Sequence, residues 1–93
     1  SLPRLLILLA VENLSPDGAQ YRELKAGLES DDGVLYSNLN ALKKMQYITE
    51  IKVKIEGKEL TSFAITEEGK NALNSIRKWL KTSLGGNVND RSG

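Results

Sequence analysis

The sequence predicts a mainly α-helical domain carrying one small β-hairpin, and three observations support that expectation. Apolar residues recur at helical spacing in four separate stretches, and the period changes to two only between positions 48 and 65. Residues that favour helix starts stand ahead of these stretches. With 93 residues the chain has room for one domain, since roughly 100 to 200 residues is the usual allotment. A chain this short buries only about 60 to 65% of its unfolded surface. Any site must therefore lie on or between elements, because too little protein is available to wall a deep cavity.

The first helix is expected from Pro3 to about Asn13, with Pro in the first turn, where its missing N–H has no intrahelical role. Leu5, Leu6, Ile7, Leu8, Leu9 and Val11 point nearly all round the axis, so this helix should be covered on more than one side. Ser15-Pro16-Asp17-Gly18 has the pattern of a type I turn. A short amphipathic helix follows from about Gln20 to Leu28, with Tyr21, Leu24 and Leu28 on one face. Glu29-Ser30-Asp31-Asp32-Gly33 is dense in capping oxygens and opens a third helix expected to reach about Gln46. At about 100° per residue, Leu35, Leu39, Leu42 and Gln46 form one core stripe. Gly33, Ser37, Asn40 and Lys44 lie on the opposite side, which holds no acid.

In the hairpin, Ile51, Val53 and Ile55 alternate with Lys52 and Lys54, and Thr61, Phe63 and Ile65 resume the alternation. A two-residue Gly57-Lys58 turn would set Glu56 opposite Glu59 and Lys52 opposite Phe63. A three-residue loop over 57–59 instead aligns Ile55 with Thr61, Val53 with Phe63 and Ile51 with Ile65, and the sequence favours this register. Lys52 and Lys54 would then face away from the core with Ser62 and Ala64. Thr66 is positioned to cap the last helix, with Glu67 and Glu68 in its positive first turn and Lys78 and Lys81 near its negative end. There Leu73, Ile76 and Leu80 form a stripe widened by Ala72 and Trp79. The domain is expected over residues 1–84, with 85–93 a flexible tail.

Composition narrows the chemistry. The chain has no His and no Cys, which excludes disulfides, thiol chemistry, Cys or His zinc sites, and Ser-His-Asp or Cys-His catalysis. No motif gathers carboxylates, so binding without a cofactor and without catalysis is the expected class. Thirteen Lys plus Arg against twelve Asp plus Glu leave a net charge of +1, so the overall charge does not advertise a polyanion partner. The longest apolar run, Leu5 to Val11, spans seven residues, against about 20 for a bilayer span. No membrane association is expected, and the lack of Cys fits a reducing interior.

A short helix, a tight joint and a longer helix with a polar outer face make a helix-turn-helix, and the hairpin after it makes a wing. Three stretches then carry a specific resemblance: Tyr21-Arg22-Glu23-Leu24-Lys25; Asp32 through Leu42 with Gln46-Tyr47-Ile48; and Phe63-Ala64-Ile65-Thr66-Glu67-Glu68-Gly69. Over residues 2 to about 82 the chain resembles the small winged helix-turn-helix regulators related to the MarR and PadR groups, with Ile65 where that family's last motif has Leu. The resemblance implies a cytoplasmic transcriptional regulator that binds double-stranded DNA as a homodimer. It places the third helix in the major groove and the wing beside or in the minor groove.

The residues add detail to that expectation. The amide of Asn40 suits bidentate contact with adenine, and Tyr36, Ser37, Lys43 and Lys44 suit phosphate or mixed contacts. The helix start at Gly33 offers backbone N–H groups to a phosphate, although Asp31 and Asp32 beside it would repel one. On the wing, Lys52 and Lys54 are either DNA contacts or charges that protect a strand edge, and Lys58 sits near the tip. The tip, Glu56-Gly57-Lys58-Glu59, carries net −1, which argues against insertion into a minor groove. Leu5, Leu8, Ile76, Trp79 and Leu80 are candidates for a dimer interface between the first and last helices. In the other reading, Trp79 closes the domain's own core. A second functional class, a winged helix that binds a protein partner, fits the near-neutral charge and the acidic tip.

Overall fold

The computed structural model describes residues 1–85. The order is α1 (Leu2–Asn13), α2 (Tyr21–Leu28), α3 (Asp32–Lys44), β1 (Ile48–Ile55), β2 (Lys58–Ile65) and α4 (Glu67–Leu80), ending in a π-helical turn over Lys81–Gly85. The mainly helical fold with a two-stranded hairpin is the one expected from the sequence. Apart from Gly85, the expected tail lies outside the described residues.

The core sits where α1, α2, α3 and the base of the hairpin converge. Ile7, Leu8 and Val11 of α1, Leu24 of α2, and Leu35, Leu39 and Leu42 of α3 are buried together with Ala19, Ile48, Phe63 and Leu73. Each of the buried Val, Leu, Ile and Phe side chains among them contributes about 1.5 to 3 kcal/mol through removal from water. This set places all three α3 leucines on the inner side, which forces Ser37 and Lys44 outward. Only the first half of α4 joins the core. Leu73 is buried, whereas Ile76, Trp79 and Leu80 are exposed, so the apolar stripe of α4 continues past the domain that could cover it.

Local chemistry sets the helix starts. Asp31 Oδ1 accepts the N–H of Val34 at 2.9 Å and opens α3, and the Gln20 N–H donates to Glu23 Oε1 at 2.8 Å at the head of α2. Thr66 works in both directions. Its hydroxyl accepts from the Gly69 N–H at 3.0 Å and donates to the Gln46 carbonyl at 2.5 Å, and its own N–H reaches the Tyr47 carbonyl at 3.0 Å. A Cβ on Gly69 would collide with that Tyr47 carbonyl and with Ile65. The Thr-Glu-Glu-Gly stretch is therefore the clamp by which α4 closes onto the α3–β1 junction.

Three expectations need correction. The loop after α1 closes through the Gly18 N–H donating to the Leu14 carbonyl at 2.8 Å, a four-residue separation rather than the i to i+3 bond of a type I turn. Helix α3 ends at Lys44, and Gln46 is exposed with φ 63, so it turns the chain and takes no part in the core stripe. The hairpin register differs most. Glu56 and Gly57 are the two turn residues, both with positive φ (53 and 80), as a type I′ connection requires to match strand twist.

That turn pairs Ile55 with Lys58, Val53 with Leu60, Lys52 with Thr61, Ile51 with Ser62 and Glu50 with Phe63. Lys52 and Lys54 thus share a face with Thr61, Phe63 and Glu59, and not with Ser62 and Ala64. The apolar-to-apolar alignment failed because it assumed a single buried face. At the base both faces are occupied: the buried Ser62 donates to the Asp17 carbonyl at 2.7 Å on one face, and the Phe63 side chain is buried in the core on the other, while its backbone exchanges hydrogen bonds with Ala19 at 2.7 and 2.9 Å.

Candidate nucleic-acid interface

The outer side of α3 presents Gly33, Tyr36, Ser37 and Lys44 to solvent, with Asn40 half-buried among them. Because the helix is fixed by three buried leucines behind it, these side chains stand in a defined frame. Tyr36 is 64% exposed and projects a ring and a hydroxyl together. Lys44 enters no ion pair among the described residues, so its charge is available to an incoming anion. Lys43 is different: its ammonium meets Glu50 Oε1 at 2.6 Å, which ties the end of α3 to β1 and offsets its charge.

The joint between α2 and α3 is held by a polar cluster. Tyr21 donates its hydroxyl to Asp32 Oδ1 at 2.9 Å, and Lys25 reaches Oδ2 of the same carboxylate at 3.1 Å. The Tyr21 hydrogen bond, followed by the Lys25 contact, holds the Asp32 carboxyl below the usual carboxylate range. The same bond pushes the Tyr21 phenol above its usual value. One of the two acids beside the start of α3 is thus already engaged by a cation, while Asp31 is occupied as a cap. Asn38 also has a positioning role, donating to the Val34 carbonyl at 2.9 Å and accepting from Arg4 Nε at 3.2 Å.

These contacts were not singled out from the sequence. The Tyr21 to Lys25 spacing of four puts both on one helical face and was a readable signal, but their meeting with Asp32 depends on the tertiary joint. Arg22, exposed in the first turn of α2 with Nε on Gln20 at 3.1 Å, is another cation the sequence reading left out.

On the wing, Lys52 donates to Thr61 Oγ1 at 2.8 Å across the strands, which orients the side chain while leaving its charge in place. Lys54 stands opposite Glu59, and Lys58 sits directly after the turn opposite Ile55. All three are exposed. The wing's cations are thus interleaved with Glu56 and Glu59, whereas Lys44 stands on a face without carboxylates.

Along α1 and α4, Leu5 is half-buried and Ile76, Trp79 and Leu80 are exposed, Trp79 at 60%. Trp79 does not close the core. Leu8 is only 4% exposed, so its side chain is taken up by its own domain and has little surface to give to a second copy. Glu12 of α1 and Arg77 of α4 form an ion pair joining these two helices. The Arg77 hydrogen bond holds the Glu12 carboxyl below its usual range. Among the described residues no group of His, Cys, Asp and Glu could hold a metal ion, and no helix is long and apolar enough to cross a membrane.

A three-helix unit whose second and third helices meet at a short capped joint, followed by a hairpin and a closing helix, is a winged helix-turn-helix. Residues 4–84 match the profile of the winged helix DNA-binding domain family, and the chain belongs to that family. No curated protein matches the sequence. Among solved structures, smu.1704 from Streptococcus mutans UA159 is similar with a TM-score of 0.69 at 22% identity, covering 97% of this chain and 89% of that one. A PadR-like transcription factor from Bacteroides fragilis is similar with a TM-score of 0.68 at 21% identity, covering 96% and 87%. At these identities the likeness is one of fold.

Proposed function

We propose that the protein is a transcriptional regulator that binds double-stranded DNA sequence-specifically as a homodimer, with α3 in the major groove. The supporting observation is the two-sidedness of α3 within a winged helix DNA-binding domain: Leu35, Leu39 and Leu42 are buried, while Tyr36, Ser37, Asn40 and Lys44 occupy the open side. Asn40 reads a base, with adenine N6 and N7 matching its amide. Tyr36, Ser37 and Lys44 contact phosphates, and Lys43 does so more weakly because Glu50 shares its charge. Backbone N–H groups near Gly33 approach a phosphate. Lys52, Lys54 and Lys58 run beside the backbone, with Glu56 and Glu59 keeping the tip out of the minor groove.

Leu5, Ile76, Trp79 and Leu80 supply the dimer contact, so that two copies of α3 meet half-sites about 34 Å apart or a multiple of it. The protein acts in the cytoplasm without a cofactor and without catalysis. A specific feature, the acidic wing tip, favours the second reading, a module that binds a protein partner.

Selection of bound fragments from a random duplex pool tests the first reading. The expected outcome is an enriched motif whose binding constant falls linearly with salt on logarithmic axes, with a slope of about −0.9 per phosphate contacted. No enrichment, or binding indifferent to salt, would transfer the case to the protein-partner role.

A further inference from the structure

An apolar groove lies between the start of α1 and the α2–α3 joint, with a volume of about 290 Å³. Leu2, Leu6 and Val34 line it and remain exposed, Leu2 at 66%. Its polar rim includes Glu29 and Asp31, and among the described residues no cation lines it. Among the described residues neither carboxylate is in an ion pair. Exposed apolar surface beside carboxylates is unsuited to DNA, whose phosphates these acids repel. It is suited to a polypeptide that brings apolar side chains and lysines together.

The chain itself carries that complement. The far end of α4 and the turn after it expose Trp79, Leu80 and Leu84, flanked by Lys78 and Lys81. Neither lysine pairs with an acid among the described residues, and no residue of α4 lines the groove. Two uncovered surfaces of one protomer thus match in apolar character and in opposite charge. A two-fold axis would satisfy both at once, since each copy offers the helix end and receives its partner's.

We infer that the occupant of the groove between α1 and the α2–α3 joint is the end of α4 from a second copy. Trp79, Leu80 and Leu84 cover Leu2, Leu6 and Val34, and Lys78 and Lys81 face Glu29 and Asp31. This deepens the dimer reading above and rests on it, adding which surfaces meet and what selects them. It has a consequence for binding. Asp31 caps α3 through the Val34 N–H, so the partner's lysines also lessen the negative potential beside the end of α3 that approaches phosphate.

Charge exchange tests the pairing by sedimentation equilibrium at low salt. Glu29 is exposed and Asp31 is left unchanged, so the cap of α3 is preserved; circular dichroism confirms that each variant is folded. Glu29→Lys alone, and Lys78→Glu alone, should each weaken the dimer roughly tenfold or more. The double exchange, which keeps Asp31 against Lys81, should recover most of that loss. A monomeric unmodified protein would remove the dimer reading itself. A dimer indifferent to both exchanges, or one weakened by both without recovery in the double variant, would keep the dimer and overturn this pairing.

Discussion

Helix α3 and the wing both present lysines to solvent, but they are supported differently. Behind α3 stand Leu35, Leu39 and Leu42, with Asp31 capping its start and Asp32 tied to Tyr21 and Lys25. The wing beyond its base has no comparable backing: Ile51 and Val53 are half-buried, Ile55 is 46% exposed, and the turn holds Glu56 in a left-handed conformation. A side chain on a fixed frame can discriminate between bases, because its hydrogen-bond geometry is set before the duplex arrives. Lysines on a two-stranded ribbon can follow a phosphate backbone, which asks less of geometry. Specificity is therefore expected from α3, and the wing should contribute affinity that varies little with sequence.

The largest expected effect comes from removing the support behind α3. Leu39→Ala deletes a side chain only 2% exposed and should cost about 2 to 5 kcal/mol of stability. Thermal unfolding would show it as a clear drop in Tm, and an unchanged Tm would mean that α3 is not held by its core face. A smaller effect, of opposite sign, is expected at the wing. Glu56→Asn places a residue that tolerates positive φ beside Gly57 and should relieve part of the roughly 1 to 2 kcal/mol that a left-handed residue costs. Denaturant unfolding should register a modest gain in stability. A loss of stability would contradict the type I′ turn.

Much of this contrast was legible in the sequence, though unevenly. The helices were readable because their apolar spacing and their caps at Asp31 and Thr66 agreed with one another, and α3 departs from expectation only in its last two residues. The wing was visible as a period of two, but its register was not. Glu-Gly lacks the usual Asn-Gly or Asp-Gly signal for a two-residue turn, and the burial of both Ser62 and Phe63 depends on the segment at Asp17 and Ala19, far away in sequence. For the same reason the pairing of Lys43 with Glu50 escaped notice, since it needs the α3–β1 junction to fold first. Leu8 and Trp79 show the limit of stripe arguments: periodicity placed both on apolar faces, and only the packed structure distinguished the core residue from the exposed one. The physical role of Gly69 likewise became readable once the Tyr47 carbonyl was seen against it.

The outer side of α3 is tested most directly by measuring affinity across a salt series for a selected duplex and a scrambled one, comparing the unmodified protein with Asn40→Ala and Lys44→Ala. Asn40→Ala should lose about 1 to 3 kcal/mol of preference for the selected duplex with its salt slope unchanged. Lys44→Ala should weaken both duplexes alike and lower the slope by about 0.9. Equal losses on both duplexes for Asn40→Ala, together with an unchanged slope for Lys44→Ala, would contradict the placement of this face in a DNA groove.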